Sequence, residues 1–287
     1  MSLQEGRELA CAKINLSLDV LGKREDGYHE LAMVMATVDL ADTLTFLHEG
    51  EGVRVESQVS FLPSDRSNLA AAAALAFQKA TGRKVEPLTI RMDKQIPVCA
   101  GTAGGSSDAA AVLRYLDRVM ETHLPLEELQ AIGETVGSDV PYCVMGGTAL
   151  AEGRGERLTP LPPLPSCPVV LCKPNFPVST PALFGQLDRC KLRRRPDTKG
   201  ILAALEAGDL QGVARRLYNV FEDVLQPRQK RTVDTIKNTL INQGALGAAM
   251  TGTGPTVFGL FADEETARTA YESLAEDYAH TFLCHIV

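Results

Sequence analysis

Tryptophan is absent from the 287 residues, and aromatic side chains make up only 5% of them. Any surface that reads a ring by stacking must therefore draw on a handful of Tyr, Phe and His. No apolar run approaches the roughly 18–20 residues that cross a bilayer, which excludes a helical membrane span. The first residues lack a charged stretch followed by an apolar one, so a cytoplasmic setting is expected rather than export. A surplus of positive charge is missing too: 29 Lys and Arg stand against 36 Asp and Glu, a net charge of −7. Such a chain has no overall field to hold a polyphosphate backbone, which argues against nucleic acid as a partner. An anionic small ligand would have to be met by a local pocket of backbone N–H groups and a few cations.

The seven cysteines include no Cys-x-x-Cys pair, and Cys167 and Cys172 flank an apolar stretch with no histidine nearby. This excludes a zinc or redox centre and reads as reduced thiols. No metal site built by the protein is expected. Internal repeats and low-complexity tracts are also lacking. The usual nucleotide signatures fail by spacing. A Walker A loop needs Lys directly after its last Gly, but Ser106 and Ser107 follow Gly105. A dinucleotide fingerprint needs Gly-x-Gly-x-x-Gly, and the order here is Gly-x-x-Gly-Gly; protein-kinase signatures do not occur.

What is present begins with strict alternation, Ile14, Leu16, Leu18 and Val20 against Lys13, Asn15, Ser17 and Asp19. That period of two predicts a strand with one polar face. Leu31–Val38 and Thr43–Leu47 read as two further strands joined by Asp39–Asp42. An alanine-rich helix over 69–79 starts at a Ser67 or Asn68 cap and stops at Gly82, and 86–93 returns to strand. A helix over 125–136 leads to Gly137-Ser-Asp-Val-Pro. Five prolines between Pro160 and Pro168 suit a crossing between domains, so the boundary falls near residue 157, dividing 1–157 from 158–287. Beyond it a strand at 169–173, several helices, a hairpin around 250–261, a helix capped by Asp263 and a terminal strand are expected.

The richest stretch is Pro97-x-x-x-Gly101-x-x-Gly104-Gly105-Ser106-Ser107-Asp108, which passes from strand through a glycine-rich loop into a helix. The first N–H groups of such a helix lack intrahelical partners, and the dipole adds positive charge, so phosphate can bind there even in an acidic protein. An ordinary tight turn with serine as the cap explains the same residues. The arrangement resembles the phosphate loop of the GHMP kinases. Ala12-Lys-Ile-Asn-Leu16, Asp26-Gly-Tyr-His29, Gly137-Ser-Asp-Val-Pro141 and Met250-Thr-Gly-Thr-Gly-Pro-Thr-Val-Phe-Gly259 narrow it, in order and nearly full length, to the 4-diphosphocytidyl-2-C-methyl-D-erythritol kinases.

The resemblance implies an α/β (α+β) fold of two domains: a ribosomal-protein-S5-like nucleotide domain and a ferredoxin-like C-terminal domain. It implies ATP-dependent phosphorylation of the substrate's 2-hydroxyl in non-mevalonate isoprenoid synthesis, with Mg²⁺ arriving with ATP. Asp139 matches the family's catalytic aspartate, the acceptor of the hydroxyl proton. Lys13 matches the motif lysine that contacts the γ-phosphate or the acceptor oxygen. Pro97, Gly101, Thr102, Ala103, Gly104, Gly105, Ser106 and Ser107 form the implied phosphate loop. Ser106 and Ser107 are open between capping the helix, binding phosphate and taking a magnesium ligand. Asn68 is either the residue near adenosine or a plain helix cap. Asn15 resembles the residue that holds the methylerythritol end. Tyr28 offers a face to a pyrimidine and His29 a hydrogen bond to its edge. Phe184 is either the second stacking aromatic or a core residue of its helix. Gly252 and Gly254 bring backbone close to the diphosphate or simply turn a hairpin.

Two positions depart from the family: Thr102 stands where Leu is usual, and Cys99 where a smaller residue is. The basic run from Arg189 to Arg195 reads as a solvated loop with no assigned role. Another small-molecule GHMP kinase, of homoserine or mevalonate type, and a non-catalytic nucleotide-binding regulator are the competing readings. Composition does not bear on oligomeric state.

Overall fold

The structure, a computed structural model, describes residues 5–192 and 194–287; Arg193 of the basic run lies outside the described residues. Chain packing separates two compact units that interleave in sequence. One holds residues up to Ala12, Leu40–Val98 and Ala103–Gly146; the other holds Lys13–Asp39, Cys99–Thr102 and Gly147–Val287. Strand β1 (Gly6–Lys23) and strand β2 (His29–Leu47) each contribute residues to both units.

In the first unit, β3 (Val53–Ser57) runs parallel to β4 (Leu88–Asp93), and β4 pairs antiparallel with the second half of β2, Thr43 opposite Asp93. Helix α1 (Leu69–Thr81) packs on α2 (Gly104–Val119), with α3 (Leu126–Glu134) and α4 (Val140–Met145) beside them. Alanines at 70, 71, 73 and 74 of α1 and at 109, 110 and 111 of α2 are buried. Small side chains let these helices approach closely, and the space left is filled by Phe77, Leu113 and Phe46, the last stacked on Tyr115 at 3.7 Å. Gly82 ends α1 in the left-handed conformation, as expected of a glycine stop.

The second unit is built on the first half of β2, which pairs antiparallel with β5 (Thr148–Gly153), and β5 with β6 (Arg157–Pro160). The proline-rich stretch that follows is tied to β5 through the Thr148 hydroxyl and carbonyl, which accept from Leu164 N and Leu161 N. Then come β7 (Pro168–Lys173), α5 (Thr180–Leu187), α6 (Thr198–Glu206), α7 (Leu210–Ala214), the short β8 (Tyr218–Asn219) parallel to β1, a 3-10 turn over Val220–Val224 and α8 (Pro227–Asn242). Strands β9 (Gly247–Met250) and β10 (Val257–Leu260), helix α9 (Glu264–Ala275) and strand β11 (His280–His285) complete it. The order β11-β7-β10-β9 is antiparallel throughout, with α8 and α9 packed on the sheet, as a ferredoxin-like arrangement requires.

Two expectations are corrected. Residues 31–47 form one strand, not two joined by a polar link. Asp42 is buried within it because its carboxylate has partners: it accepts from Gln95 N at 2.6 Å and Ile96 N at 2.8 Å. The β5–β6 hairpin was not expected, its Arg154-Gly-Glu turn being hidden ahead of the prolines. Burial also pushes the Cys167 and Cys172 thiols up to about 12, so both stay protonated. Among the described residues no helix is long and apolar enough to cross a membrane.

Candidate functional site

The polar face of β1 is not a solvent face. Lys13 is 3% exposed, and Asn15 and Ser17 are fully buried. Lys13 Nζ donates to Asn15 Oδ1 at 2.7 Å and to the Gly101 carbonyl at 3.2 Å. Asn15 Oδ1 also accepts from the Thr251 hydroxyl at 3.1 Å and from Gly252 N at 2.9 Å. Both acceptors of the lysine are neutral. Among the described residues of its own unit this buried ammonium forms no ion pair with a carboxylate, a costly arrangement unless an anion arrives.

Backbone approach explains two of the predicted glycines. Gly101 has φ of +80°, and a Cβ there would lie 2.3 Å from the Thr251 carbonyl oxygen; one on Gly252 would lie 2.7 Å from the Gly101 carbonyl oxygen. Only glycine allows these segments to touch. Asn219, which no motif pointed to, holds the same turn from the other side. Its Nδ2 donates to the Met250 and Gly252 carbonyls at 2.8 Å each. Gly254 follows with φ of +80°.

In the other unit, α2 starts at Gly104, after Ala103 in the left-handed conformation. Ser106 and Ser107 are thus the third and fourth residues of the helix, and neither caps it. The helical ladder opens with Ser107 N to the Ala103 carbonyl at 2.9 Å, leaving the N–H groups of Gly104, Gly105 and Ser106 ahead of it. The two serines differ. The Ser107 hydroxyl is buried and donates to the Cys11 carbonyl at 2.6 Å, whereas Ser106 is half-buried. Thr102 is 1% exposed, and its hydroxyl has no hydrogen-bond partner among the described residues. Pro97 is half-buried and Cys99 exposed, the latter with φ of +53°.

A buried ion triad braces this loop at both ends. Lys94, just before it, bonds Asp42 and, at 2.6 Å, Asp108 in the first turns of α2. Sequence patterns gave no sign of it: Asp108 ends the glycine-rich stretch, but its partners Lys94 and Asp42 lie in unremarkable runs. Burial pushes the Asp108 carboxyl up to about 7 against the pull of Lys94, and its Oδ1 has no hydrogen-bond partner among the described residues. Asn68 is committed to capping α1: Oδ1 accepts from Ala70 N at 3.0 Å and Nδ2 donates to the Pro63 carbonyl at 2.9 Å. Asp139 stands half-buried at the N-terminus of α4, its carbonyl accepting from Cys143 N and its carboxylate making no cap bond.

The predicted ring-reading residues sit together in the second unit. The His29 ring stacks on Phe184 with centroids 4.5 Å apart, and Phe184 meets Phe221 edge-on at 4.9 Å. Tyr28 stays 55% exposed, with the Arg154 guanidinium 5.0 Å from its ring centre. Asp188, another residue no motif indicated, lies 2.7 Å from His29 Nε2. The basic run is not wholly solvated, since Arg195 donates to Asp19 at 2.7 Å and to the Val20 carbonyl at 2.6 Å. Among the described residues no three His, Cys, Asp or Glu side chains cluster as a metal site. A divalent ion would have to borrow its shell from phosphate oxygens and water, beside hydroxyls such as that of Ser106.

Comparison with known proteins adds names to this geometry. The model of the GHMP kinases N terminal domain matches residues 68–147, and that of the GHMP kinases C terminal matches residues 201–280. A 4-diphosphocytidyl-2-C-methyl-D-erythritol kinase of Alkaliphilus metalliredigens is 42% identical over 95% of this chain and 93% of its own. One from Listeria welshimeri is 46% identical over 92% and 90%. A solved 4-(cytidine 5'-diphospho)-2C-methyl-D-erythritol kinase superposes with a TM-score of 0.82 at 33% identity, covering 98% of this chain and 99% of that one.

Proposed function

The chain belongs to the 4-diphosphocytidyl-2-C-methyl-D-erythritol kinases of the GHMP kinase family, and from that premise we propose that it transfers the γ-phosphate of ATP to the 2-hydroxyl of 4-diphosphocytidyl-2-C-methyl-D-erythritol. It is an ATP-dependent phosphotransferase acting on an alcohol. The observation that carries the reading is Lys13: a buried ammonium whose partners in its own unit are both neutral, held in place by Asn15. Such a charge suits a reaction in which anionic phosphoryl oxygens arrive and depart.

The assigned roles follow from what each group offers. Asp139 takes the proton of the acceptor hydroxyl as the oxygen attacks phosphorus in line with the departing ADP. Lys13 offsets the charge on the transferred group. The free N–H groups at the start of α2, with Pro97, Gly101, Thr102, Ala103, Gly104 and Gly105 shaping the loop, hold the phosphates of ATP. Ser107 secures the helix to the Cys11 carbonyl and Ser106 offers its hydroxyl to phosphate or to Mg²⁺. A Mg²⁺ ion bound with ATP would supply neutralisation of phosphate charge. Asn68 shapes the adenosine end by fixing the start of α1. Asn15, with Gly252 and Gly254, lines the diphosphate and methylerythritol portion, while Tyr28, His29 and Phe184 receive the base.

The test is ADP release with Mg-ATP and the cytidyl acceptor, run beside homoserine and mevalonate. Release that depends on the cytidyl acceptor alone is the expected result. Release with homoserine or mevalonate would reassign the substrate, and ATP binding without release to any acceptor would support a regulator.

A further inference from the structure

His29 opens β2, directly after the Asp26-Gly27 turn, and its side chain is only 11% exposed. Its orientation is set by one helix. Phe184 of α5 seats the imidazole face, and Asp188, four residues on and hence on the same side of α5, holds its edge at Nε2. That contact is also the largest influence holding the Asp188 carboxyl below the usual carboxylate range, and Lys23 Nζ lies 3.7 Å from its other oxygen. An ionised carboxylate only accepts hydrogen bonds. The hydrogen of the 2.7 Å contact therefore sits on Nε2, and in the neutral ring Nδ1 is left with a lone pair and no hydrogen. Among the described residues Nδ1 has no hydrogen-bond partner. His29 and Asp188 both line an open cleft of about 460 Å³, together with Gly22, Lys23, Leu187 and Arg195.

We propose that Asp188 is a specificity-determining positioning residue: by fixing the tautomer of His29 it turns Nδ1 into an acceptor that takes a hydrogen from the exocyclic amine of a 4-aminopyrimidine and rejects a 4-ketopyrimidine. The proposal rests on the reading that the base of the acceptor substrate docks at His29. A cytosine presents N–H at that edge and meets the lone pair. A uracil presents a carbonyl oxygen, and two acceptors facing each other leave both without a partner after desolvation. One such mismatch is worth roughly 10- to 100-fold in kcat/KM. The carboxylate never touches the substrate; it acts by deciding where the proton of the imidazole resides.

Asp188→Asn separates this role from a structural one, because the amide can present either N–H or C=O to Nε2 and so no longer confines the imidazole hydrogen to that nitrogen. The measurement is kcat/KM for the cytidyl acceptor and for its uridyl counterpart, with KM for ATP as the control, alongside ¹⁵N NMR of the His29 ring. The wild-type chain is expected to prefer the cytidyl acceptor by roughly 10- to 100-fold, with Nδ1 in the lone-pair form. In Asp188→Asn the ratio is expected to fall to near unity or reverse, with KM for ATP unchanged. An unchanged ratio in the variant, with only a general loss of activity, would overturn the proposal. So would an Nδ1 that carries the hydrogen in the wild type. Wild-type protein that binds ATP and phosphorylates neither acceptor would instead overturn the reading of the substrate, a result distinct from either.

Discussion

The Thr251 hydroxyl donates to the Asn15 carboxamide oxygen at 3.1 Å across 236 residues of sequence, and the Asn15 backbone N–H donates back to that hydroxyl at 3.0 Å. The reciprocal pair joins β1 to the turn after β9. Because the same carboxamide oxygen serves Lys13 and Gly252, one side chain sets the position of the buried ammonium and of the glycine turn together.

Asn15→Ala is expected to cost about 2–3 kcal/mol, since it leaves an ammonium, a hydroxyl and an N–H buried without their acceptor. Denaturant unfolding checks this. Asn15→Asp keeps an oxygen in place and should recover most of the stability.

Lys94→Met removes the cation shared by Asp42 and Asp108 and strands two buried carboxylates. A loss of about 3–5 kcal/mol follows, read as a lower urea midpoint with an unchanged slope. Because the triad braces the loop that precedes α2, KM for ATP should rise in any variant that remains folded, more than KM for the acceptor.

Asp108 makes stability depend on pH in a defined direction. Its folded-state value is raised to about 7, chiefly by burial, so the folded chain holds a proton that the unfolded chain has already released. That contribution is complete below the ordinary aspartate range and is lost as pH rises through about 7. Asp108→Asn should flatten the fall in melting temperature between about pH 5 and about pH 8, as scanning calorimetry would show. Parallel wild-type and variant curves would contradict the assignment.

Thr102 carries a buried hydroxyl without a hydrogen-bond partner among the described residues. Thr102→Val keeps the shape and removes the orphan, so stability should be unchanged or higher by about 1 kcal/mol. A hydroxyl that serves only packing leaves KM for ATP unaltered, and one that contacts phosphate raises it several-fold; titration of the variant with ATP distinguishes them.

Much of this was legible in the chain itself, and the parts that were not share a cause. The alternation from Lys13 to Val20 foretold a strand with polar residues on one face, but period and polarity carry no information on burial, and that face is inside. Asn68 as a cap and Gly82 as a stop follow local chemistry and were readable. Asp42 read as part of a turn because its partners, Gln95 N and Ile96 N, lie more than fifty residues away. Asn219, Lys94 and Asp188 belong to no periodic pattern or glycine motif. Each acts through two contacts to residues distant in sequence, which spacing does not encode. The motifs, by contrast, marked where backbone must approach backbone, as at Gly101 and Gly252, since glycine leaves that requirement visible in the letters.

Asp139 is the residue on which the account of phosphoryl transfer depends most. The decisive measurement is the turnover of Asp139→Asn with Mg-ATP and the cytidyl acceptor, with ATP affinity determined on the same preparation. Loss of the proton acceptor should lower kcat by about 10²- to 10⁴-fold while ATP binds as before. Turnover within a few-fold of the wild type would contradict the assignment of Asp139 and require another group to take the hydroxyl proton.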